Sequence, residues 1–532
     1  MPLPGGRAHG RDDGGRIKTF ESSRWPRIAC LYPTNRSDPI AELSRSVAAA
    51  PPVELPRLRG RAAFAYLPLA AIFAFAFSAR LAVALLLPPW QGPDEPRHFE
   101  YVRLLVDKRA QLWREHRLMR MDDDSPELQT AIIGSLVRNH FWTYANRPPP
   151  ATPPKTFYEI WAGSSTQLKQ SISPYHFLLA AALVPFQSAP LEAQLRVARV
   201  VTALGSALTV LVAYGVGREI APGDRFVALV AGAFVAALPM HAFMGGVVNT
   251  DNMVTLLGGA TILLLCRGLS RPLRWRGWLA ATALLIVAVF AKRAALVLVP
   301  WWLLVAAVRP VAMRGRRWLL AATAIVAGAL AVGVGVVLGV GPLSAARDAL
   351  VYYFLNEPDQ VTRLFDGRLA DPRTPGMVRF YLDQLHTSFW GVLGWYSVQL
   401  DEWLYAVLGY VTVACAAGLA IQLALWLRPS TRATGRPLVV LFLIGIVATL
   451  IPLTVLERLS YFEPFSVPTG RYLFVAIAPI AALYAVGGRA LLPRRLAGTL
   501  APTVAVIVAL AALDVVVFVR TFVPAYLTRA VG

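Results

Sequence analysis

Trp90-Gln91-Gly92-Pro93-Asp94-Glu95-Pro96-Arg97-His98-Phe99 follows directly on a long apolar run at 62–87. The run exceeds the roughly 20 residues that a helix needs to cross a hydrocarbon core. Two adjacent carboxylates at its exit therefore stand at a membrane surface. Pro96 suits a first helical turn, and Asp94 just before it is placed to cap orphan N–H groups. The helix that follows brings Asp94, His98 and Tyr101 onto one face. Two readings of the acids stay open: a cap with a favourable helix-dipole pair, or a base or metal ligand facing a cavity at the bilayer interface.

Outward from that stretch, the whole chain reads as membrane protein. Its 532 residues are 56% hydrophobic, with a mean hydropathy of +0.52. The apolar runs are continuous and lack the period-two alternation of a transmembrane barrel. Helices satisfy their own backbone polar groups in lipid, so the fold class is an all-α polytopic membrane protein. The formal charge of +21 does not indicate nucleic acid as a partner. Its excess Arg falls in short loops between apolar runs, where it orients the chain and meets anionic lipid. Cys30, Cys266 and Cys415 form no disulfide framework.

Residues 1–61, rich in Arg, Pro, Gly and Ser, read as a disordered basic cytoplasmic tail ahead of a transmembrane domain at 62–532. The first run is too long for a signal peptide and reads as a signal anchor with its N-terminus inside. Basic loops around Arg218 and Arg225, Arg267 to Arg276, Arg309 to Arg317, Arg428 to Arg436, and Arg489 to Arg495 all fall on the cytoplasmic side if about eleven spans alternate between them. Those spans are 62–87, 196–217, 226–244, 252–266, 277–291, 294–308, 318–341, 402–427, 438–456, 471–487 and 498–519. The run at 173–187 is short for a crossing and reads as an outer-face juxtamembrane or re-entrant helix. Two large outer loops follow, 88–172 and 342–401, holding most of the acids and many aromatics. The aromatics fit an interfacial belt or the floor of a groove for a sugar ring or isoprenoid chain.

Ionisable groups at membrane depth are expensive and each needs a reason. On the outer side the topology collects Asp94 and Glu95, then Asp251 in Asn249-Thr250-Asp251-Asn252, Lys292 and Arg293 at a hinge, and Arg471 after Pro468-Thr469-Gly470. Such a set can accept a proton and hold a lipid phosphate, Arg by bidentate contact and Lys as a point charge. Each member also has a plain structural reading. Asp251 can cap a helix, Lys292 and Arg293 can snorkel, and Arg471 can pair with Glu457 or Glu463. His98 and His176 can simply pack. No His or Cys spacing for a metal is present, although two outer acids can hold Mg²⁺ or Mn²⁺ through oxygen.

Pro93-Asp94-Glu95-Pro96-Arg97-His98-Phe99 resembles the PDEPxHF signature of a domain-of-unknown-function family of bacterial membrane proteins related to GT-C glycosyltransferases. Ser173-Pro174-Tyr175-His176-Phe177, Phe389-Trp390-Gly391-Val392-Leu393-Gly394-Trp395 and Thr469-Gly470-Arg471-Tyr472-Leu473-Phe474 resemble further segments of the same pattern. Arg97 departs from a position more often small, and Tyr175-His176 from a Leu-Tyr-Tyr-like segment. The resemblance implies a GT-C-like bundle with an acidic first outer loop, and a sugar donor carried on polyprenyl phosphate. It implies Asp94 as base with Glu95 beside it, and Arg471, Lys292 and Arg293 on the donor phosphate. Asp251, His98, Tyr101, Tyr175 and His176 would support them. The acceptor would be a glycan, lipid or protein of the cell envelope at the bacterial plasma membrane. A lipid or ion transporter is the competing reading, although no inverted repeat is visible; a non-catalytic envelope-assembly scaffold is the third.

Overall fold

The computed structural model describes residues 58–116, 119, 123–144, 168, 173–271, 273–312, 371–428, 436–461, 468–496 and 499–528. Apart from 58–62, the described residues belong to one compact unit within 63–532. Most of the expected tail, the span at 318–341, Glu463 and Cys30 lie outside the described residues. So do parts of both large loops.

The described α-helices of seven or more residues are α1 (Leu58–Leu86), α2 (Glu95–Asp107), α3 (Pro126–Arg138), α4 (Pro174–Leu183), α5 (Leu191–Ile220), α6 (Arg225–Ala237), α7 (Pro239–Gly245) and α8 (Asp251–Ser270). They continue as α9 (Trp275–Ala291), α10 (Leu298–Ala312), α11 (Thr374–Gly391), α12 (Glu402–Trp426), α13 (Arg436–Tyr461), α14 (Ile477–Leu491) and α15 (Ala501–Val517). Among the described residues the one sheet is a two-stranded antiparallel hairpin, β1 (Val392–Leu393) with β2 (Val398–Gln399).

Among the described residues, seven helices are long and apolar enough to cross a membrane. They lie at Tyr66–Leu86, Leu191–Ile220, Asp251–Ser270, Glu402–Trp426, Arg436–Leu459, Gly470–Leu491 and Ala501–Thr528, and α6 with α7, bent by 61°, makes an eighth if counted as one broken span. The chain is an all-α, multi-pass membrane protein. The expected count of eleven is not reached among the described residues. Trp275–Ala291, Arg293–Ala307 and Pro174–Phe186 are apolar but shorter than those spans.

Burial orders the bundle. The span at Gly470–Leu491 is 78% buried, against 17% for α12 and 22% for the last span, so α14 is central and the other two present apolar side chains outward. Around it, α5 packs on α6, α8 and α14. Where α12 crosses α14, Gly418 faces Gly487: a Cβ on Gly418 would lie 2.2 Å from the Gly487 carbonyl oxygen. Paired glycines let two helix backbones touch, which is how apolar helices associate in lipid. A second, smaller core under α2, α3 and α4 gathers Trp90, Phe99, Tyr101, Ile132, Phe141, Tyr175 and Val248.

The bend between α6 and α7 has a chemical cause. Pro239 has no N–H to offer the Val235 carbonyl, and Leu238 leaves the helical region at φ −72, ψ 112. Arg80, fully buried in α1, takes over. It donates to the Val235 and Ala236 carbonyls at 2.9 and 3.1 Å, to Ala76 O at 2.9 Å, to Ser206 Oγ at 3.1 Å and to His241 Nδ1 at 2.6 Å. All its N–H groups find acceptors, so this intramembrane charge is a staple.

Charged groups sort to two ends. At one, Glu219 pairs with Arg267 at 2.9 Å and Arg271 at 3.0 Å, and Asp224 with Arg489 at 2.9 Å. The other end carries the acids of the opening stretch.

Candidate active site

The stretch after α1 folds back on itself through two residues with left-handed backbone, Trp90 (φ 73) and Asp94 (φ 63). For a bulky residue such as Trp this conformation is costly and persists only where surroundings hold it. They do: Trp90 Nε1 donates to Ser135 Oγ at 2.9 Å, and its carbonyl accepts from Trp395 Nε1 at 3.0 Å. Asp94 sits at the N-cap position of α2, yet its side chain makes no capping bond. The capping reading is corrected here. The carboxylate turns instead to Arg471 Nη2 at 2.7 Å and Arg97 Nη2 at 3.0 Å.

Glu95, one residue on, goes the other way. Its fully buried carboxylate takes a bidentate pair from Arg199, at 2.8 and 2.6 Å, and a bond from the Val248 N–H at 3.1 Å. Arg199 also donates to the Leu87 and Pro88 carbonyls at 2.6 and 3.0 Å. The pair thus closes the end of α1 onto α5 and the turn before α8. With its oxygens spent in this way, Glu95 is not aligned beside Asp94 as a second acid.

Asp251 opens α8 and makes no cap either; it pairs with Lys292, and its Oδ2 lies 3.7 Å from Arg471 Nε. The turn is held by Asn249, whose Nδ2 donates to the Pro93 carbonyl at 3.2 Å while its Oδ1 accepts from the Asp251 N–H at 2.9 Å. One amide therefore fixes the first acid's turn to the second's. Lys292, in extended backbone between α9 and a 3₁₀ turn, does not snorkel, and Arg293 begins that turn half-buried. Of the two glutamates expected to pair with Arg471, Glu457 lies 3.8 Å from Arg458, and Glu463 falls outside the described residues. Lys292, Arg458 and Arg471 surround the Tyr472 ring at 5.2, 5.3 and 5.6 Å, a cation–π arrangement.

His98 Nδ1 and His176 Nε2 are 3.0 Å apart, and the Tyr101 ring stands edge-on to His176 at 4.8 Å. Tyr175 Oη accepts from the Asn249 N–H at 2.9 Å and lies 2.8 Å from Thr202 Oγ1. Thr202 already donates to Ala198 O at 2.9 Å, so the Tyr175 proton is committed to Thr202. Burial raises the Asp94 carboxyl, but the Arg471 and Arg97 charges outweigh it and hold the group below the usual carboxylate range. Burial, joined by His176 and Arg97, pushes His98 well below the usual imidazole range, so it is neutral near pH 7.

The motif segments meet here. The Gly470 N–H donates to Ser388 Oγ at 2.7 Å, and a Cβ on Gly470 would fall 2.1 Å from the Phe389 amide nitrogen. Only glycine lets the 469–471 turn seat against α11 and deliver Arg471. Sequence reasoning missed Arg199, Tyr396 and Tyr472. For Arg199 the signal was a basic residue inside an apolar span, one turn after Arg196. Among the described residues no group of three or more His, Cys, Asp or Glu could hold a metal. Asp94 and Asp251 already hold cationic side chains, so this donor set does not fit Mg²⁺ or Mn²⁺.

Fold and site together define a multi-pass membrane protein with a charged, buried cluster at one end of its bundle. The chain belongs to the family described as predicted membrane protein (DUF2142), whose model matches residues 77–483. No curated protein matches it. Among solved structures it is similar to the archaeal oligosaccharyltransferase AglB from Archaeoglobus fulgidus, determined in complex with an inhibitory peptide and a dolichol-phosphate. The identity is 16% and the TM-score 0.40, over 87% of this chain and 55% of that one. The chain thus spans about half the length of that protein.

Proposed function

We propose that the protein is a GT-C-type glycosyltransferase that moves a sugar from a polyprenyl-phosphate donor to a cell-envelope acceptor. The reaction takes place at the outer face of the bacterial plasma membrane, with the chain's N-terminus cytoplasmic. The observation that carries this reading is the convergence on Asp94 and its neighbour Arg97 of Arg471, Asp251 and Lys292 from distant parts of the chain. Three cations against two carboxylates leave an excess positive charge, which suits an anionic leaving group.

In an inverting transfer, Asp94 takes the proton of an acceptor hydroxyl as that oxygen bonds to the anomeric carbon. The bond from that carbon to the phosphate oxygen breaks, and the electron pair leaves with the polyprenyl phosphate. Arg471 and Lys292 stabilise the charge that develops there. Placing such chemistry in a membrane protein follows from a donor that is a lipid. On this reading His98, Tyr101, Tyr175 and His176, which contact one another beside the start of α2, support Asp94.

The test is genetic and chemical. A strain lacking the gene is complemented with the wild-type chain or with Asp94→Asn, and envelope glycans are compared. Loss of one glycosyl substituent, restored by the wild type alone, is the expected result. Full restoration by an equally expressed Asp94→Asn chain would remove Asp94 from the mechanism.

A further inference from the structure

Buried polar atoms in folded proteins nearly always find partners, so a group of atoms that do not is informative. Four lie at one corner of the cluster: Tyr396 Oη, Thr469 Oγ1, and Arg471 Nε and Nη1, each buried and without a well-formed hydrogen bond among the described residues, the two hydroxyls lying within reach of each other. Thr469 and Arg471 are 5% and 7% exposed. The Tyr396 hydroxyl neighbours that of Thr469 and feels the Arg471 charge. All four atoms can donate, and the two hydroxyl oxygens are the acceptors they offer one another, so the corner has donors in excess and suits an anion. Neither carboxylate supplies it: Asp94 Oδ2 engages only Arg471 Nη2 at 2.7 Å, and Asp251 Oδ2 stays 3.7 Å from Nε.

The corner is also held firmly. Tyr396 and Gly394 both take left-handed backbone, at φ 62 and φ 63, in the β1–β2 turn. Trp395 between them is bonded to the Trp90 carbonyl, and Gly470 is wedged against the backbone of α11. Burial raises the Tyr396 hydroxyl's pKa, which keeps it a donor.

We propose that Tyr396, Thr469 and Arg471 form a cradle for one phosphate oxyanion, and that its arrival draws Arg471 off Asp94 and frees the base. This rests on the reading of Asp94 given above and adds an order to it: anion first, acceptor second. A guanidinium shared between a carboxylate and a phosphate no longer gives its full charge to either. The groups that face Asp94 are Arg471, Arg97 and His98, with Lys292 and Asp251 next to them. Of these only Arg471 reaches both the acid and the unpartnered donors. Before the anion binds, Asp94 is locked in its ion pair and is a weak base, which guards against premature attack by water.

The test uses the full chain in detergent, titrated separately with inorganic phosphate and with a short-chain polyprenyl phosphate. Affinity is read by calorimetry, and the Asp carboxylate stretch by infrared difference spectroscopy. Tyr396→Phe with Thr469→Val should weaken binding at least tenfold, and Thr469→Ser should restore the Thr469 share, with Tyr396→Phe alone as a milder check on folding. In the wild type the anion should shift a carboxylate band that is missing in Asp94→Asn. Weakening of both probes identifies the phosphate group itself as the ligand. Weakening of the lipid probe alone identifies a lipid headgroup. Unchanged affinity for both, or phosphate bound with the Asp94 band unmoved, overturns the proposal. If binding follows the cradle while Asp94→Asn still restores the envelope glycan, the cradle stands and the glycosyl-transfer reading falls.

Discussion

Asp94 and Glu95 are neighbours of one chemical type with opposite assignments, and the difference is a single backbone angle. Left-handed φ at Asp94 swings its carboxylate to Arg471 and Arg97, while Glu95, the first residue of α2, points inward to Arg199. Removing one partner of a buried pair strands the other charge, at a cost of about 3–5 kcal/mol. Glu95→Gln should therefore lower the melting temperature of the purified protein markedly, and activity should fall only with the folded fraction. Asp94→Asn should melt closer to wild type, because Asp94 keeps 21% side-chain exposure and Arg471 retains Asp251. Equal melting losses in the two variants would contradict this division. Nothing in the sequence separates the two acids: adjacency is visible there, and the direction of a side chain is not. The same limit hides Tyr396, whose backbone conformation no residue pattern announces.

At the scale of elements, the broken helix α6–α7 delivers the site. It carries the chain to the 246–250 turn, where Val248 and Asn249 bind Glu95 and Pro93. Arg80 holds the break. Arg80→Leu would leave the Val235 and Ala236 carbonyls unpaired in an apolar interior, at about 1–3 kcal/mol each. A lower melting temperature is expected, with Arg80→Lys recovering only part because it cannot serve five acceptors at once. An unchanged melt for Arg80→Leu would refute the staple. The sequence reading ran one straight span across 226–244, although Pro239 marked the interruption. Arg80 was lost in the hydropathy of its run, which averages a single charge away. Long unbroken spans such as α5, α8 and α12 were legible because length and continuous apolarity fix them.

For the molecule as a whole, charge is sorted by end: Glu219, Asp224 and their arginines at one, Asp94, Asp251, Lys292 and Arg471 at the other. That those four groups would be candidates was readable because ionisable groups are scarce in so apolar a chain, and each stands out. The sorting also sets a pH dependence. His98 has an ordinary value of 6.5 and a folded value well below it. Between the two, the unfolded chain binds more protons than the folded one, so stability rises with pH there and is lost on acidification. Asp94 acts in the same direction below its ordinary value of 3.8. Melting temperature should fall steadily from pH 7 to pH 5, and His98→Asn should flatten the curve; a rise on acidification would count against a neutral His98. The most direct measurement of the central claim is sugar transfer in vitro, from polyprenyl-phosphate-linked sugars to envelope acceptors, by purified wild-type and Asp94→Asn chains of matched folding. A general base contributes about 10²–10⁴-fold, and the account predicts a loss of that size in the variant with inversion at the anomeric carbon. Transfer at the wild-type rate by Asp94→Asn, or no transfer by the wild type from any such donor, would contradict it.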